Sequence, residues 1–393
     1  MIFYFTSKEM DINIEEVNKL FEQRHQAKPI IVVSPGRINL IGEHTDYNEG
    51  FVLPAAIDKA IFVAVQQRED NQVCLYAMEY GEEFVVVLDR IEKTKLRWPG
   101  YVLGVVDQLQ KRGFKLKGFN LILGGNVPIG AGVSSSAAVE CATVFALNEL
   151  FGFNISKIDM VKIAQKAEHD FAGVKCGIMD QFASMFGQEN KVISLDCRSL
   201  EYEYFPIEMT GLKIVLLDTN VKHSLASTEY NVRREQCERG VALIQQKYPS
   251  VKTLRDATME MLDKCVKTEL LIYKRCRYVV EENIRLQEAC KDLGNNDIKS
   301  FGQKMFRTHD GLSKEYEVSC KELDFLVEQV RNEEAVLGAR MMGGGFGGCT
   351  INLVKEEAIP ALVNKLSKLY QENMGLELKH YVIAIKDGTH RVQ

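Results

Sequence analysis

The pattern of hydrophobic positions alternates between helix-like and strand-like segments over the first half of the chain. Apolar residues at the spacing of one helix face predict an amphipathic helix over residues 13–24. Short runs rich in Val, Ile, Phe and Tyr predict strands at residues 30–33, 61–66, 73–77, 84–88, 119–123, 191–196 and 213–218. The first of these strands is expected to run directly into a loop, Ser34-Pro35-Gly36-Arg37.

Helical spacing returns three times before the middle of the chain. One helix is predicted over about 99–112, with Gly113 as its C-terminal stop. A second helix follows a glycine- and serine-rich turn and ends at about Leu150. The third begins with a capping box formed by Ser156 and Asp159, and it ends near Gly173.

The second half is rich in helical patterns and finishes with a strand, a helix and a strand at about 349–354, 358–372 and 379–386. This order of elements is typical of the α+β class. We therefore predict two lobes that meet within about 195–215. The N-terminal lobe is placed at residues 1–200 and the C-terminal lobe at residues 201–393.

Charge and cysteine content argue against several classes of function. Lys and Arg number 49 against 54 Asp and Glu, a formal net charge of −5 over 393 residues. Nucleic-acid and anionic-membrane binders carry a basic surface, so neither partner is expected. The ten cysteines form no CxxC pair, which disfavours a zinc or thioredoxin-like site. Neither a signal peptide nor an apolar run of ~18 residues is recognisable, so we expect a soluble protein of the reducing cytoplasm.

Residues 124–138, GGNVPIGAGVSSSAA, are the first segment with candidate chemistry. Gly130 and Gly132 let the backbone approach a ligand, and three serines, 134–136, open the following helix. Helix N-termini attract anions, so a nucleotide phosphate is the natural occupant. The GxxxxGK[ST] pattern is absent, which excludes a Walker A loop. A serine-capped helix after a flexible turn is the alternative interpretation.

A second glycine cluster, at residues 343–348, has five glycines in six positions. Such a run loses much conformational entropy on folding, so it indicates exposed backbone or positive φ angles. A tight packing turn would also explain it. Two glycine loops in one chain favour the ligand-binding interpretation.

Residues 34–50, SPGRINLIGEHTDYNEG, concentrate hydrogen-bonding side chains within a short stretch. A polyhydroxylated ligand such as a sugar needs several convergent polar groups, and buried ones must be paired. Taken alone, His44 would more often be structural and Glu43 a solvated surface charge. No HExxH pattern is present, so a zincin site is not expected.

Residues 168–182, EHDFAGVKCGIMDQF, carry two candidate carboxylates. Asp180 stands between apolar neighbours, where an acid is expected to be paired, to bind a cation or to move a proton. Together with a phosphate loop, Asp180 and Glu168 suggest one ligand of Mg²⁺ and one group acting on an attacking hydroxyl. A helix-start cap is the alternative for Asp180.

Residues 34–50 resemble the signature of the galactokinases almost residue for residue. The two glycine segments resemble the second and third motifs of the wider GHMP small-molecule kinase superfamily. GEHTDYN and CGIMDQF are specific to the galactokinase branch. Supporting similarity lies at residues 167–184, 223–237 and 316–324, so the resemblance runs in order from Ser34 to about Thr350.

The resemblance implies the two-lobed GHMP kinase fold, with an S5 domain 2-like N-terminal lobe, a ferredoxin-like C-terminal lobe and an active site between them. It also implies phosphorylation of the C1 hydroxyl of α-D-galactose by ATP, with Mg²⁺. The expected partners are galactose and ATP, and the expected assembly is a monomer or a weak homo-oligomer. An N-acetylgalactosamine kinase or another GHMP kinase is the alternative, and a non-catalytic galactose sensor is less favoured because the serine loop and Asp180 are intact.

Roles for individual residues follow from the same resemblance. Asp180 is expected to accept or orient the proton of the anomeric hydroxyl, with Arg37 beside it. Ser136, or a neighbouring serine of 134–136, and Glu168 are expected to hold Mg²⁺. The expected sugar-binding residues are Glu43, His44, Asp46, Gly177, Asp180 and Tyr230. The expected ATP-binding residues are Gly130, Ala131, Gly132, Val133, Ser134, Ser135, Ser136, Trp98 and Tyr101, with ordinary packing as the alternative for Trp98.

Overall fold

A computed structural model describes residues 12–128, 130–221 and 226–392 of the chain. The N-terminal segment inspected for a signal peptide, and part of the 223–237 similarity, therefore lie outside the described residues. The thirteen strands described, β1 to β13, are Ile30–Asn39, Phe51–Val52, Pro54–Gln67, Gln72–Ala77, Glu82–Val87, Phe119–Gly125, Lys191–Asp196, Tyr202–Pro206, Leu212–Asp218, Val336–Met341, Cys349–Lys355, Lys379–Ile383 and His390–Arg391.

Eleven α-helices lie within the described ranges. In chain order, α1 to α11 are Ile14–His25, Arg97–Lys111, Ser135–Phe151, Lys157–Ala167, Met179–Phe186, Ala226–Gln245, Met259–Cys265, Leu270–Gly294, Ile298–Lys314, Lys321–Val330 and Ile359–Met374. A π-helical turn, Glu168–Ala172, continues directly from α4. None of the described helices is both long and apolar enough to cross a membrane.

The strands form three sheets. The largest has the order β13-β1-β3-β6-β4-β5, and β4 and β6 are its parallel pair. A small sheet, β2-β7-β8, lies beside it. The third sheet has the order β10-β11-β9-β12, and its three strand pairs are antiparallel. With helices between β9 and β10 and between β11 and β12, this is a ferredoxin-like βαββαβ arrangement.

These sheets confirm the predicted α+β, two-lobed class. The largest apolar core packs helices α2 to α5 on the six-stranded sheet, and a separate core lies under the four-stranded sheet. The last strand, β13, returns to pair with β1 at the edge of the first sheet. The division at residue 200 stays a prediction.

Local expectations and structure agree in most places. Helix α1 covers the predicted stretch, and Ser156 caps α4 by accepting a hydrogen bond from the Asp159 N–H at 3.2 Å. Gly113 has φ +84° just beyond α2, as expected of a helix stop. The strand β10 was not predicted, because its six residues include an arginine and a glycine.

The expected loop at 34–37 is wrong. β1 continues through it as far as Asn39, with an irregularity in its register against β3 between Pro35 and Arg37. A proline has no N–H to donate to a ladder and is therefore found at such irregularities. Because a Cβ at Gly36 would lie 2.7 Å from the Val133 carbonyl, the strand can pass close to the phosphate loop. Arg37 is thus placed on a strand.

Candidate active site

A cavity of about 370 Å³ lies where the polar segments of the sequence meet. Strand β1, the start of α3, the π-helical turn, the start of α5, helix α6 and the C-terminal glycine loop all contribute to its walls. The lining residues are Arg37, Glu43, His44, Asp46, Tyr101, Pro128, Gly130, Gly132, Val133, Ser134, Ser135, Ser136, Glu168, Val174, Cys176, Met179, Asp180, Tyr230, Gly343 and Gly344. Segments more than 300 residues apart in the sequence therefore share one site.

Arg37 and Asp180 form a two-bond ion pair in this cavity. The Arg37 Nε donates to Asp180 Oδ1 and its Nη2 to Oδ2, both at 2.8 Å. Arg37 Nη1 donates to the Gly132 carbonyl at 2.6 Å, which ties the pair to the phosphate loop. Burial is the largest single effect and lowers the pKa of Arg37, but the charge and hydrogen bonds of Asp180, together with the charges of Glu43 and Asp46, outweigh it and raise the pKa. Arg37 therefore stays charged.

Asp180 is not a helix cap. It lies in the first turn of α5, yet no side chain caps that helix. Its carboxylate instead faces Arg37 and accepts a hydrogen bond from Ser134 Oγ. The Asp180 side chain keeps 23% of its surface exposed toward the cavity, so a ligand can reach it.

The phosphate loop has the backbone that its glycines suggested. Gly130 and Gly132 have φ angles of +86° and +77°, and Ser134, just before α3, is also left-handed at +58°. This conformation turns the chain sharply so that the N-terminus of α3 points into the cavity wall at Ser135 and Ser136. The positive end of the helix dipole is thus available to an anion.

Ser136 and Glu168 lie side by side on the cavity wall, and Ser136 Oγ donates to Glu168 Oε1 at 2.9 Å. Burial, and then the charge of Asp180, raise the pKa of Glu168 to about 7, although hydrogen bonds from Ser136 and neighbouring groups lower it. A buried carboxyl in this state gains from a nearby cation. The pair therefore fits a divalent metal.

Sequence reasoning missed two residues behind Glu168. Gln181 Nε2 donates to Glu168 Oε2 at 2.7 Å and to the fully buried Glu140 at 3.1 Å. Glu140 stands one helical turn after Ser136, so both face Glu168 from α3. The spacing of Ser136 and Glu140, four positions apart on a predicted helix, could have suggested that both face one partner.

The segment after β1 brings Glu43, His44 and Asp46 to the opposite wall, all of them buried. Burial, and then the charge of Asp180, raise the pKa of Asp46 to about 7. A Cβ at Gly177 would overlap the Asp46 carboxylate, so the Gly177 backbone packs directly against it. These residues converge as expected of a sugar-binding wall.

His44 belongs to an aromatic cluster at the same wall. Its Nδ1 lies 2.8 Å from the Tyr47 hydroxyl, and its ring centre is 5.2 Å from that of Tyr230. Burial lowers the pKa of His44 to about 4, so the imidazole is neutral at physiological pH. It can therefore contribute hydrogen bonds without a charge.

The C-terminal glycine loop contributes Gly343 and Gly344 to the cavity wall. Gly343 has φ +81° and donates its N–H to Glu43 at 2.8 Å. Gly345 and Gly347 have a packing reason, because a Cβ there would lie 2.0 Å and 2.5 Å from backbone carbonyls. Packing therefore explains Gly345 and Gly347, whereas Gly343 and Gly344 line the cavity and the ligand-binding interpretation stays a prediction.

Three family models match this chain. The model of the GHMP kinases N terminal domain matches residues 100–188, and that of the GHMP kinases C terminal matches residues 286–372. The galactokinase galactose-binding signature matches residues 19–67, the part that carries β1 and the segment after it.

Curated proteins agree with these models. The galactokinase of Thermotoga maritima is 42% identical over 361 residues, which cover 92% of this chain and 99% of that protein. The galactokinase of Clostridium beijerinckii is 41% identical and covers 97% of this chain and 99% of its own. The chain belongs to the galactokinase family.

Solved structures place this galactokinase-family chain in the same fold. Lactococcus lactis galactokinase complexed with galactose has a TM-score of 0.92 at 35% identity, covering 96% of this chain and 100% of its own. Mevalonate kinase of Methanococcus jannaschii shares the fold with a TM-score of 0.64 at 16% identity, covering 92% and 100%. The GHMP kinase architecture expected from the sequence is confirmed.

Not every residue expected from the galactokinase resemblance reaches the cavity. Tyr101 lies on its wall, whereas Trp98 is packed in the core and donates its indole N–H to Glu82 at 2.8 Å. Ala131 is likewise buried in the core. Ordinary packing therefore accounts for Trp98 as observed, and its adenine role stays a prediction.

Helix α8 supports the galactose-signature segment, which the sequence did not reveal. The Tyr278 hydroxyl donates to the Glu43 carbonyl at 3.0 Å, and buried Glu282 accepts the Gly42 N–H at 2.9 Å. Asn283 accepts the Phe51 N–H at 2.9 Å. Tyr278 and Glu282 lie on one face of α8, because positions four apart share a helix face, and Asn283 follows directly after Glu282.

Proposed function

We propose that this chain transfers the γ-phosphoryl group of ATP to the C1 hydroxyl of α-D-galactose, giving galactose 1-phosphate and ADP. The observation that carries the proposal is the Arg37–Asp180–Ser134 cluster. It places one carboxylate between the galactose-signature wall and the N-terminus of α3, where sugar and phosphate would meet. Membership of the galactokinase family supports galactose as the sugar.

Asp180 is the proposed proton acceptor. As the C1 oxygen bonds to the γ-phosphorus, the bond from that phosphorus to the β–γ bridging oxygen breaks and the hydroxyl proton passes to Asp180. Arg37 is held at 2.8 Å from both carboxylate oxygens and so fixes their direction. Phosphoryl transfer depends mainly on such positioning and on charge stabilisation.

The phosphate groups are proposed to lie against Gly130–Ser136. The α3 N-terminus offers N–H groups and a partial positive charge, and Arg37 adds a full one. Tyr101, which is partly buried and lies on the same wall, has a pKa raised to about 12 chiefly by burial, so it would be a neutral neighbour of the nucleotide. Under this proposal, backbone N–H groups, Arg37 and a bound cation would hold the phosphates locally, so binding ATP would not require a basic protein.

Mg²⁺ fits the oxygen donors of Ser136 and Glu168, which are already adjacent. Mg²⁺ is commonly bound by one or two carboxylates together with substrate phosphates and water. The described residues contain no group of three or more Asp, Glu, His or Cys side chains that could hold a metal, so the proposed site relies on these two donors and on the substrate phosphates. When bound, the ion would supply positive charge to the β- and γ-phosphates. A cytoplasmic location, where ATP is available, is part of the proposal.

The proposal is tested by ATP-dependent phosphorylation of galactose, N-acetylgalactosamine, glucose and mevalonate, followed by ADP release. ³¹P and ¹³C NMR identify the phosphorylated carbon. We expect galactose to be the best substrate and C1 the modified carbon. Activity on mevalonate without activity on galactose would refute the proposal, and preference for N-acetylgalactosamine would move it to that sugar.

A further inference from the structure

We propose that Arg340 is a positioning residue of the sugar site, which holds the Glu43 carboxylate in the direction that receives a sugar hydroxyl. The inference rests on the proposed function and adds a residue outside the sequence-predicted site. Arg340 lies on β10 of the four-stranded sheet, whereas Glu43 follows β1 of the six-stranded sheet. One guanidinium therefore joins the two sheets at the cavity.

Protein groups form hydrogen bonds to one of the two oxygens of the Glu43 carboxylate. Its Oε1 accepts two hydrogen bonds, from Arg340 Nη2 at 3.0 Å and from the Gly343 N–H at 2.8 Å. The described residues make no hydrogen bond to Oε2, and Glu43 lines the cavity. Oε2 is thus the oxygen available to a ligand. An ionised carboxylate only accepts hydrogen bonds, so the ligand group at Oε2 must be a donor. The sugar must present a hydroxyl as donor there.

Arg340 itself has little freedom. Its side chain is fully buried, and it donates to the backbone carbonyls of Leu40 at 2.7 Å and Met341 at 2.6 Å as well as to the Asn39 carbonyl. These carbonyls carry no net charge, so Glu43 is the carboxylate that balances the cation among its hydrogen-bond partners. The planar donor fork of an arginine can serve all four acceptors at once, which a lysine ammonium cannot.

Stability alone does not account for this buried pair. Replacing a buried ion pair by apolar residues is often neutral or stabilising, whereas removing one partner leaves an uncompensated charge. The arrangement does have a clear effect on Glu43, because it orients the carboxylate and prevents it from turning Oε1 toward the ligand. A fixed direction lowers the entropy that sugar binding must overcome.

The test compares Arg340→Lys with Arg275→Lys. Arg275 on α8 is a matched control, since its side chain is 2% exposed and it pairs with Glu317 and with the Glu315 carbonyl, away from the cavity. Galactose affinity is measured by isothermal titration calorimetry without ATP, and KM values and thermal stability are measured alongside. We expect Arg340→Lys to weaken galactose binding by about 10–100-fold, the usual size of a charge-assisted hydrogen bond.

The KM for ATP is expected to stay within about twofold in both variants, and Arg275→Lys is expected to keep wild-type galactose affinity. A folded Arg340→Lys protein with wild-type galactose affinity would overturn the inference. Equal losses in both variants would do the same, because they would indicate a general effect of stability. If the wild-type protein itself bound no galactose, the proposed function would fail instead.

A measurement on the wild-type protein keeps the inference testable if Arg340→Lys does not fold. The Nε–H group of a buried arginine exchanges slowly and gives a separate NMR resonance. The Nε–H of Arg340 donates to the Leu40 carbonyl, while Nη2 of the same guanidinium donates to Glu43. Its resonance is expected to shift on addition of galactose because Glu43 then gains a hydrogen bond and shares its charge with the sugar, whereas the resonance of Arg275 is expected to stay. An Arg340 resonance that galactose leaves unmoved would contradict the proposal.

Discussion

Removing the Asp180 carboxylate should separate sugar binding from turnover. In the structure this group accepts two hydrogen bonds from Arg37 and one from Ser134, and it faces the cavity where the sugar hydroxyl would lie. Asp180→Ala deletes the proposed proton acceptor and leaves the galactose-signature wall, with Glu43 and His44, in place.

The size of the effect has a catalytic part and a stability part. A positioned general base contributes roughly 10²–10⁴-fold, which corresponds to roughly 2.7–5.5 kcal/mol in the barrier. Loss of one partner of a buried pair costs about 3–5 kcal/mol of stability. Here the Asp180 side chain is 23% exposed, so solvent screening reduces that cost and we expect a loss of about 1–3 kcal/mol.

The assay measures ADP release under saturating galactose and ATP, galactose affinity by calorimetry, and unfolding by urea. The control is Asp310→Ala, which removes an Asp–Arg pair outside the cavity, where Arg331 Nη2 donates to Asp310 Oδ1 at 3.0 Å. We expect the control to keep its turnover. If Asp180→Ala is folded and turns over within about tenfold of the wild type, the proposed role of Asp180 is wrong.

Three further predictions concern the metal, the glycine loop and pH. Glu168→Ala should raise the Mg²⁺ and ATP concentrations needed for half-maximal rate by about tenfold or more, with the KM for galactose unchanged; a rate insensitive to added Mg²⁺ and ATP would contradict this. Gly345→Ala brings a Cβ to 2.0 Å from the Val318 carbonyl oxygen, whereas Gly375 has a similar φ and open space around it. Urea unfolding should therefore show that Gly345→Ala lowers the free energy of unfolding by about 1–3 kcal/mol more than Gly375→Ala does. Equal losses in the two variants would contradict the packing argument. Burial raises the pKa of Asp46 to about 7 in the folded chain from its ordinary value of 3.8, so the folded state binds the proton more tightly than the unfolded state. The stability of the wild type should therefore fall, relative to that of Asp46→Asn, as the pH rises from about 4 to about 7. The difference should reach at most roughly 4 kcal/mol, and a pH-independent difference between the two proteins would refute it.

Local sequence patterns predicted many of the helices and strands of the fold. Helix and strand periods placed most elements of the first half, and the capping residue Ser156 marked the start of α4 correctly. The strand through Ser34–Arg37 was mistaken for a loop, because proline and glycine signal a turn wherever tertiary contacts do not override them. Here the pairing with β3 extends the strand.

Local sequence patterns also predicted most of the residues that line the cavity. Glycine and serine runs, and polar residues dense in one short stretch, are visible without coordinates because their chemistry depends on residue type and near neighbours. Arg37, Asp180 and Glu168 were all identified as candidate site residues in this way, and in the structure they line one cavity. Their catalytic and metal roles stay proposals.

The support behind that wall could not be read from the chain. Arg340 meets Glu43 across 297 residues, and Tyr278 reaches the Glu43 carbonyl across 235. Neither residue has a local pattern that points to its partner, since a buried arginine and a surface arginine look alike in a sequence. Periodicity and residue chemistry thus established the elements and the candidate groups, whereas the partners of those groups depend on how the two lobes pack. Burial then sets their charge and direction, because the energy of an ion pair or hydrogen bond depends on distance and on the exclusion of water.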